Sequence, residues 1–125
     1  MSQPEQPNEN SASGARVSVR LLATSDLHAH MLSHDYYSGR SERQSGLAAV
    51  ATLIREARHE TGLSLYFDNG DLLQGSPLGA LAADEIRKGC TAPHPVVAAL
   101  NELGCDAATL GNHDFGFGLD VLNAS

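Results

Sequence analysis

Three short apolar runs, separated by segments with helical periodicity, constrain the fold of this chain more than any other feature. The runs cover residues 17–24, 63–67 and 106–110, and their length and apolar content predict β-strands. Apolar side chains on both faces of the first run indicate a strand that is buried on most of both sides. Connections long enough to hold a helix favour parallel pairing with right-handed crossovers. We therefore predict an α/β fold with a mostly parallel sheet and flanking helices.

Three amphipathic helices are predicted from apolar spacing and from the residues that begin and end them. Ser at a helix start, or Pro at the first helical position, is typical of an N-terminus, and Gly is typical of the position just after a C-terminus. The predicted boundaries are Ser45 and Gly62 for the first helix, Ser76 and Gly89 for the second, and His94 and Gly104 for the third.

The composition and net charge make some classes of function unfavourable. Eight Lys and Arg residues stand against fifteen Asp and Glu residues, which gives a net charge of -7 and disfavours binding to nucleic-acid polymers. An acidic protein can still bind a small phosphate ester if divalent cations are held nearby. The chain has no run of about 18 apolar residues, so no membrane-spanning segment is predicted.

The beginning of the chain differs from the rest. Residues 1–15 are rich in Gln, Asn, Ser, Pro and Glu and lack apolar periodicity, which predicts a disordered tail. This stretch also lacks the basic start and the apolar centre of a secretory signal, so the chain as written is expected to be cytoplasmic. Residues 16–125 are expected to form one folded unit.

Polar residues that can bind metals follow each of the three predicted strands. They are Asp26 and His28 after the first strand, Asp71 after the second, and Asn112, His113 and Asp114 after the third. Because the carboxyl ends of parallel strands meet at one edge of a sheet, these groups should converge there. An Asp and a His two positions apart on an extended segment direct an oxygen and a nitrogen to the same point. Each motif is weak alone, but together they predict a metal site.

These motifs resemble those of the calcineurin-like metallophosphoesterases. The resemblance runs from about residue 17 to residue 122 and includes segments 68–77 and 116–120. Within the 5'-nucleotidase family, the chain is most similar to the branch that hydrolyses 2',3'-cyclic nucleotides. The resemblance implies the N-terminal part of an α/β/β/α sandwich. It also implies metal-dependent hydrolysis of a small nucleotide, from the 2',3'-cyclic form to the 3'-nucleotide and then to the nucleoside.

The resemblance also implies a role for each motif residue. Asp26 and His28 would bind the first of two divalent ions, Asp71 would bridge both ions, and Asn112 would bind the second. The ions would come from the set Zn, Mn, Co, Mg and Fe. His113 would be catalytic, stabilising the transition state or protonating the departing sugar oxygen. Asn112 and His113 would also contact the substrate.

The partner of His113 stays open at this point. In the 5'-nucleotidase branch an Asp three residues after the catalytic His orients its ring, whereas this chain has Gly116 at that position. This departure favours the cyclic-nucleotide branch. It leaves Asp114, which we expect to be catalytic with His113, and Asp120 as the two candidates.

Two other functions remain open. One is that of a 5'-nucleotidase or nucleotide-sugar hydrolase, and the other is that of a noncatalytic α/β module that binds a metal or a nucleotide. The chain lacks the glycine-rich dinucleotide motif and the P-loop motif, which weakens the usual forms of the second function.

The resemblance implies parts that this sequence does not contain. Further histidine ligands lie downstream in the family, in Gly-His and Gly-His-x-His motifs, and a C-terminal domain binds the base. The chain has no histidine after His113, so residues 16–125 are expected to be an incomplete N-terminal metallophosphoesterase domain that is inactive alone. Relatives of this branch act in the periplasm, which conflicts with the missing signal.

Overall fold

The structure, a computed structural model, describes residues 16–41 and 45–125. The tail predicted for residues 1–15 therefore lies outside the described residues. The elements in chain order are β1 (Arg20–Thr24), β2 (His34–Asp35), β3 (Arg40–Ser41), α1 (Leu47–His59), β4 (Ser64–Asp68), α2 (Pro77–Arg87), α3 (Pro95–Glu102), β5 (Ala107–Ala108), a 3-10 helix (Asn112–Phe115) and α4 (Leu119–Ala124).

The main sheet has three strands in the order β1-β4-β5. β1 and β4 pair in parallel from Arg20 opposite Ser64 to Thr24 opposite Asp68. β5 joins the other edge of β4, also in parallel, with Ala108 opposite Asp68. The connection from β1 to β4 contains α1, and the connection from β4 to β5 contains α2 and α3. The predicted α/β class, with a parallel sheet and flanking helices, is confirmed.

The outer strands are shorter and more exposed than the sequence predicts. The first strand begins at Arg20 rather than at residue 17, and the third contains only Ala107–Ala108. The expectation that the first strand is buried on most of both sides is wrong, because Leu21 is 68% exposed. Phe67 lies on the same face of the sheet, opposite Ala23 in the register, and is also exposed. The elements described here cover only the other face.

The covered face of the sheet carries the hydrophobic core. Tyr66 lies at its centre, is fully buried, and pairs its hydroxyl with Thr24 Oγ1 at 2.7 Å. Burying side chains of this size contributes about 1.5–3 kcal/mol each. The buried cluster consists of Leu47, Ala51, Ile54, Tyr66, Leu72, Leu73, Val96, Leu100 and Leu103. Among the described residues, no helix is long and apolar enough to cross a membrane.

The start of α1 differs from the prediction. Gly46, not Ser45, is the N-cap, and no side chain caps this end. The backbone takes over this role, because Leu47 N–H donates to the carbonyl of His30 at 2.8 Å. Gly46 has a φ of 83°, and a Cβ there would lie 2.7 Å from the backbone of Leu32. Close contact with the preceding loop therefore determines where this helix begins, and the helix ends at His59, before the predicted stop at Gly62.

The starts of α2 and α3 agree with the sequence. Ser76 Oγ accepts the N–H of Gly79 at 3.2 Å, and Pro77 occupies the first helical position. His94 caps α3 in the same way, because its Nδ1 accepts the N–H of Val96 at 3.4 Å. His94 is fully buried, which distinguishes it from an ordinary surface cap.

This buried histidine predicts acid sensitivity. Burial lowers the pKa of His94 below its ordinary value of 6.5, and Nδ1 can accept the N–H of Val96 only while it carries no proton. Just below pH 6.5, His94 therefore binds a proton in the unfolded chain but not in the folded chain. Stability should be fully present above about pH 6.5 and should fall as the pH drops below it, by up to about 1.4 kcal/mol per pH unit.

His94→Asn tests this expectation, since asparagine keeps a capping oxygen but does not titrate. Urea unfolding at about pH 7.5 and about pH 5.5 should show a weaker pH dependence in the variant than in the unaltered protein. The other histidines are present in both proteins, so the difference isolates His94. An equal loss of stability in the two proteins on acidification would contradict the prediction.

Candidate metal centre

Two loops at the carboxyl edge of the sheet are joined directly to each other. The loop after β1 and the loop after β4 share backbone hydrogen bonds from Asp26 N to Gly70 O at 3.0 Å, and from His28 N to Asp71 O at 2.9 Å. A third bond joins Ala29 N to Leu72 O at 2.7 Å. These bonds hold the motif that follows the first strand against the motif that follows the second.

The sequence predicts an extended backbone for the Asp-x-His motif. The backbone of these loops is not extended. Asp26, His28 and Asp71 have φ values of 56°, 48° and 59°. A non-glycine residue in this left-handed region costs about 1–3 kcal/mol and persists where the surrounding structure imposes it, often at functional sites. Ala29 shares this conformation, with a φ of 52°. The bonds between the loops supply the constraint, and the other three of these residues are the predicted metal ligands.

The three side chains come together as predicted. One ligand atom from each of Asp26, His28 and Asp71 can be chosen so that all lie within 4.8 Å of one another. His28 Nε2 and Asp26 Oδ1 are 3.9 Å apart. Two carboxylates and an imidazole form a donor set that suits the predicted divalent transition metals. The residues present therefore fit a metal ion.

His28 has the surroundings of a metal-binding histidine. Its Nδ1 donates to the main-chain carbonyl of Gln74 at 2.6 Å, which leaves Nε2 as the nitrogen available for a metal. Gly75 permits this arrangement, because a Cβ at that position would lie 2.5 Å from His28 Cβ and 2.8 Å from His28 Nδ1. The motif after β4 thus orients a side chain from the motif after β1.

The motif that follows β5, residues 111–114, contacts the Asp71 side chain through the backbone of the motif. His113 N–H donates to Asp71 Oδ1 at 2.8 Å, and a Cβ on Gly111 would overlap the Asp71 carboxylate. Asn112 is the residue between these two contacts and the first residue of the 3-10 helix, where it is exposed. The structure thus places Asn112 beside Asp71, and a ligating role for its amide stays a prediction.

His113 is exposed and lies next to the predicted metal ligands. Its ring centroid is 5.0 Å from that of His28, and the two rings are nearly perpendicular at 86°. His113 Nδ1 lies 3.3 Å from the side-chain oxygen of Gln74. Gln74 is therefore the hydrogen-bond partner of this ring among the described residues.

Neither of the two candidate partners takes that place. Asp114 is fully buried, and its carboxylate accepts four backbone N–H groups. Asp120 lies near Arg87, with 3.8 Å between Oδ2 and Nε. In this structure neither carboxylate is hydrogen-bonded to the His113 ring, and Asp114 instead supports the loops that carry Asp71 and Gly111. A catalytic role for Asp114 stays a prediction.

Asp68 and Gln74 are residues of the site to which the sequence assigned no role. Asp68 is 2% exposed, and its carboxyl accepts Gly70 N–H at 2.8 Å and the Thr24 hydroxyl at 2.5 Å. Burial raises the pKa of Asp68, and the negative charges of Asp114 and Asp26 act in the same direction, against the two hydrogen bonds. A cation at this edge would offset the repulsion among these carboxylates.

An open cavity adjoins the predicted ligands. Its volume is ≈ 430 Å³, and small-molecule sites begin at about 300 Å³. Asp26, His28, His30 and Gly75 line it. The space is therefore adequate for a small polar ligand such as a phosphate ester.

Comparison with known proteins decides the family. The sequence model described as calcineurin-like phosphoesterase matches residues 19–124. The chain belongs to this family. Its fold is accordingly that of a calcineurin-like phosphoesterase, and Asp26, His28 and Asp71 form its candidate metal site.

Two curated relatives and one crystal structure show which members of the family the chain resembles. The chain is 45% identical over 114 residues to the 2',3'-cyclic-nucleotide 2'-phosphodiesterase/3'-nucleotidase of Salmonella typhimurium, covering 90% of this chain and 17% of that protein. It is also 45% identical over 114 residues to the trifunctional nucleotide phosphoesterase protein YfkN of Bacillus subtilis, covering 88% of this chain and 8% of the relative. The crystal structure of the YfkN phosphoesterase matches with a TM-score of 0.76 and 46% identity, covering 83% of this chain and 32% of that one. The chain thus spans less than a fifth of these two curated relatives.

Proposed function

We propose that the protein containing this chain is a metal-dependent phosphoesterase that hydrolyses 2',3'-cyclic nucleotides to 3'-nucleotides and then to nucleosides. The observation that carries this proposal is the convergence of Asp26, His28 and Asp71, with ligand atoms within 4.8 Å, at the carboxyl edge of the sheet. Relatives at 45% identity are named for hydrolysis of nucleotide phosphoesters. The same reaction class therefore fits both the donor set and the family.

Four residues would hold two divalent ions. Asp26 and His28 would bind the first ion, Asp71 would bridge the two, and the amide oxygen of Asn112 would bind the second. A bridging group needs two usable oxygens, which a carboxylate has, and a neutral amide avoids excess negative charge where a phosphate must approach. When bound, the ions would supply an activated water and would stabilise negative charge on the phosphoryl oxygens.

His113 would act on the substrate. Its side chain is exposed beside the cluster, and its backbone N–H holds Asp71 Oδ1 at 2.8 Å. With Nδ1 directed to Gln74, Nε2 is the nitrogen left to face a phosphoryl oxygen or the departing sugar oxygen. In the doubly protonated ring, which keeps its Nδ1 proton on Gln74, the proton on Nε2 would neutralise charge that develops on either oxygen.

Substrate preference tests the proposal. We expect the full-length protein, stripped of metal and reloaded with Mn²⁺, to hydrolyse 2',3'-cyclic AMP and 3'-AMP faster than 5'-AMP. The expectation rests on Gly116, which replaces the Asp typical of the 5'-nucleotidase branch, and on the names of the relatives. Release of 3'-AMP, adenosine and phosphate, followed by chromatography and a phosphate assay, measures all three rates.

A matched pair of variants serves as the control. Asp71→Asn should abolish the metal-dependent activity, whereas Asp84→Asn should retain it, because Asp84 lies on α2 in an exposed pair with Lys88. A preference for 5'-AMP would assign the protein to the 5'-nucleotidase branch instead. Binding of metal without hydrolysis of any of the three nucleotides would favour a noncatalytic module.

A further inference from the structure

Gln74 contacts both histidines of the centre, each with a different part of the residue. Its main-chain carbonyl accepts from His28 Nδ1 at 2.6 Å, and its side-chain Oε1 accepts from His113 Nδ1 at 3.3 Å. We propose that the Gln74 carboxamide is the positioning group for His113, and that Gly116 is required to make room for it. The inference rests on the proposed function only for the catalytic consequence, because the contacts themselves are independent of it.

Gly116 supports the proposal because its backbone does not need glycine. Its φ of -63° and ψ of -25° are ordinary helical values that alanine adopts without strain. A Cβ at this position would nevertheless overlap Gln74 Oε1 and lie 2.5 Å from Cδ and 2.8 Å from Nε2. The space that the missing side chain leaves is the space that the Gln74 carboxamide occupies.

The carboxamide sets the direction of the His113 ring. An amide oxygen accepts one N–H from the imidazole, which fixes the rotation of the ring and places the proton on Nδ1. Nε2 then faces away from Gln74 and toward the site. His113 is exposed, and no other side chain in residues 16–41 and 45–125 hydrogen-bonds its ring, so loss of this contact would release it.

The two contacts of Gln74 can be separated experimentally. A substitution at position 74 changes the side chain and keeps the main-chain carbonyl that binds His28. Only the side chain that binds His113 changes. A side-chain variant should therefore impair the positioning of His113 and leave the metal-binding function of His28 in place.

Gln74→Ala and Gly116→Ala should have the same effect in the full-length, metal-loaded protein. We expect each to lower kcat for 2',3'-cyclic AMP by about 10–100-fold, as is typical for partners of active-site groups. KM and the affinity for Mn²⁺ should stay within about twofold, because neither variant alters a ligand. Gln74→Glu, which keeps an acceptor at the same distance along the side chain, should recover part of the lost kcat.

A double variant and a matched glycine distinguish positioning from general damage. Gln74→Ala combined with Gly116→Ala should be no slower than the slower single variant, since both remove one interaction. Gly62→Ala should leave kcat unchanged, because a Cβ at Gly62 meets nothing within 4 Å. Additive losses in the double variant would overturn the proposal, as would an unaltered kcat in Gln74→Ala.

A spectroscopic measurement keeps the proposal testable if the protein hydrolyses none of these nucleotides. Long-range 1H–15N spectra of histidine-labelled protein report which ring nitrogen carries the proton, and His113→Gln identifies the His113 signals. The Nδ1-protonated pattern of His113 should be lost in Gln74→Ala and in Gly116→Ala and kept in Gly62→Ala. An unchanged pattern in Gln74→Ala would overturn the inference, whereas inactivity of the unaltered protein would contradict only the proposed function.

Discussion

His113→Ala should lower the turnover of 2',3'-cyclic AMP by about 10²–10⁴-fold, the usual range for loss of a group that transfers or holds a proton in the transition state. Metal affinity should change little, because the contact of His113 with Asp71 uses the backbone N–H, which alanine retains. Steady-state kinetics of the full-length protein gives the loss in kcat. Titration of the metal-free protein with Mn²⁺ gives the affinity.

Asn112→Ala provides the comparison, since it alters the neighbouring residue and removes a predicted metal ligand. We expect weaker binding of the second Mn²⁺ and a loss of turnover that high metal concentration partly restores. No such recovery is expected for His113→Ala. Equal loss of metal in both variants would contradict the division of roles between these two residues.

The position of the site could be predicted from the sequence because it depends on topology alone. Parallel strands bring the residues that follow them to one edge, so Asp26, His28 and Asp71 had to converge once the strand order was known. The α2 and α3 boundaries were also accessible, since Ser76 and His94 cap their own helices through local contacts. The helix boundaries depend on interactions within a few residues, and the position of the site depends on the order of the strands.

The backbone conformation of the site and the partner of His113 depend on contacts between residues that are distant in sequence. The left-handed backbone of Asp26 and His28 is imposed by hydrogen bonds to the loop some forty-odd positions later, such as Asp26 N to Gly70 O. The sequence points to the nearby Asp114 or Asp120 as the partner of His113, whereas the structure supplies Gln74 at a sequence separation of 39. The sequence signal is Gly116 itself, which stands where the 5'-nucleotidase branch has an Asp. The structure adds that its backbone does not require glycine and that Gln74 fills the space beside it.

Asp114 is a motif residue whose carboxylate is hydrogen-bonded to the backbone of two loops. Its Oδ1 accepts the N–H groups of Leu72 and Leu73 at 2.7 and 3.0 Å. Its Oδ2 accepts those of Asp71 and Gly111, both at 2.8 Å. One fully buried carboxylate thus joins the loop that carries Asp71 to the turn that precedes Asn112 and His113.

Asp114→Ala should therefore destabilise the protein by about 3–5 kcal/mol, because buried N–H groups lose their acceptor and a cavity replaces the carboxylate. A loss of this size is a large share of the about 5–15 kcal/mol that stabilises a typical domain. Asp114→Asn offers a milder change, since its amide keeps one acceptor oxygen and turns an N–H₂ group toward backbone donors. We expect it to lose about half as much stability as the alanine variant.

Hydrogen exchange locates this loss better than global unfolding does, because it reports local opening in a protein of any size. Amides of Leu72 and Leu73 should exchange faster in Asp114→Asn, and Mn²⁺ affinity should fall with them, since the same loop carries Asp71. Asp120→Asn is the matched control, because Asp120 is exposed and its pair with Arg87 is worth at most about 1 kcal/mol. If Asp114→Asn keeps protected amides and full metal affinity but loses turnover, Asp114 acts in the chemical step and its structural role is excluded.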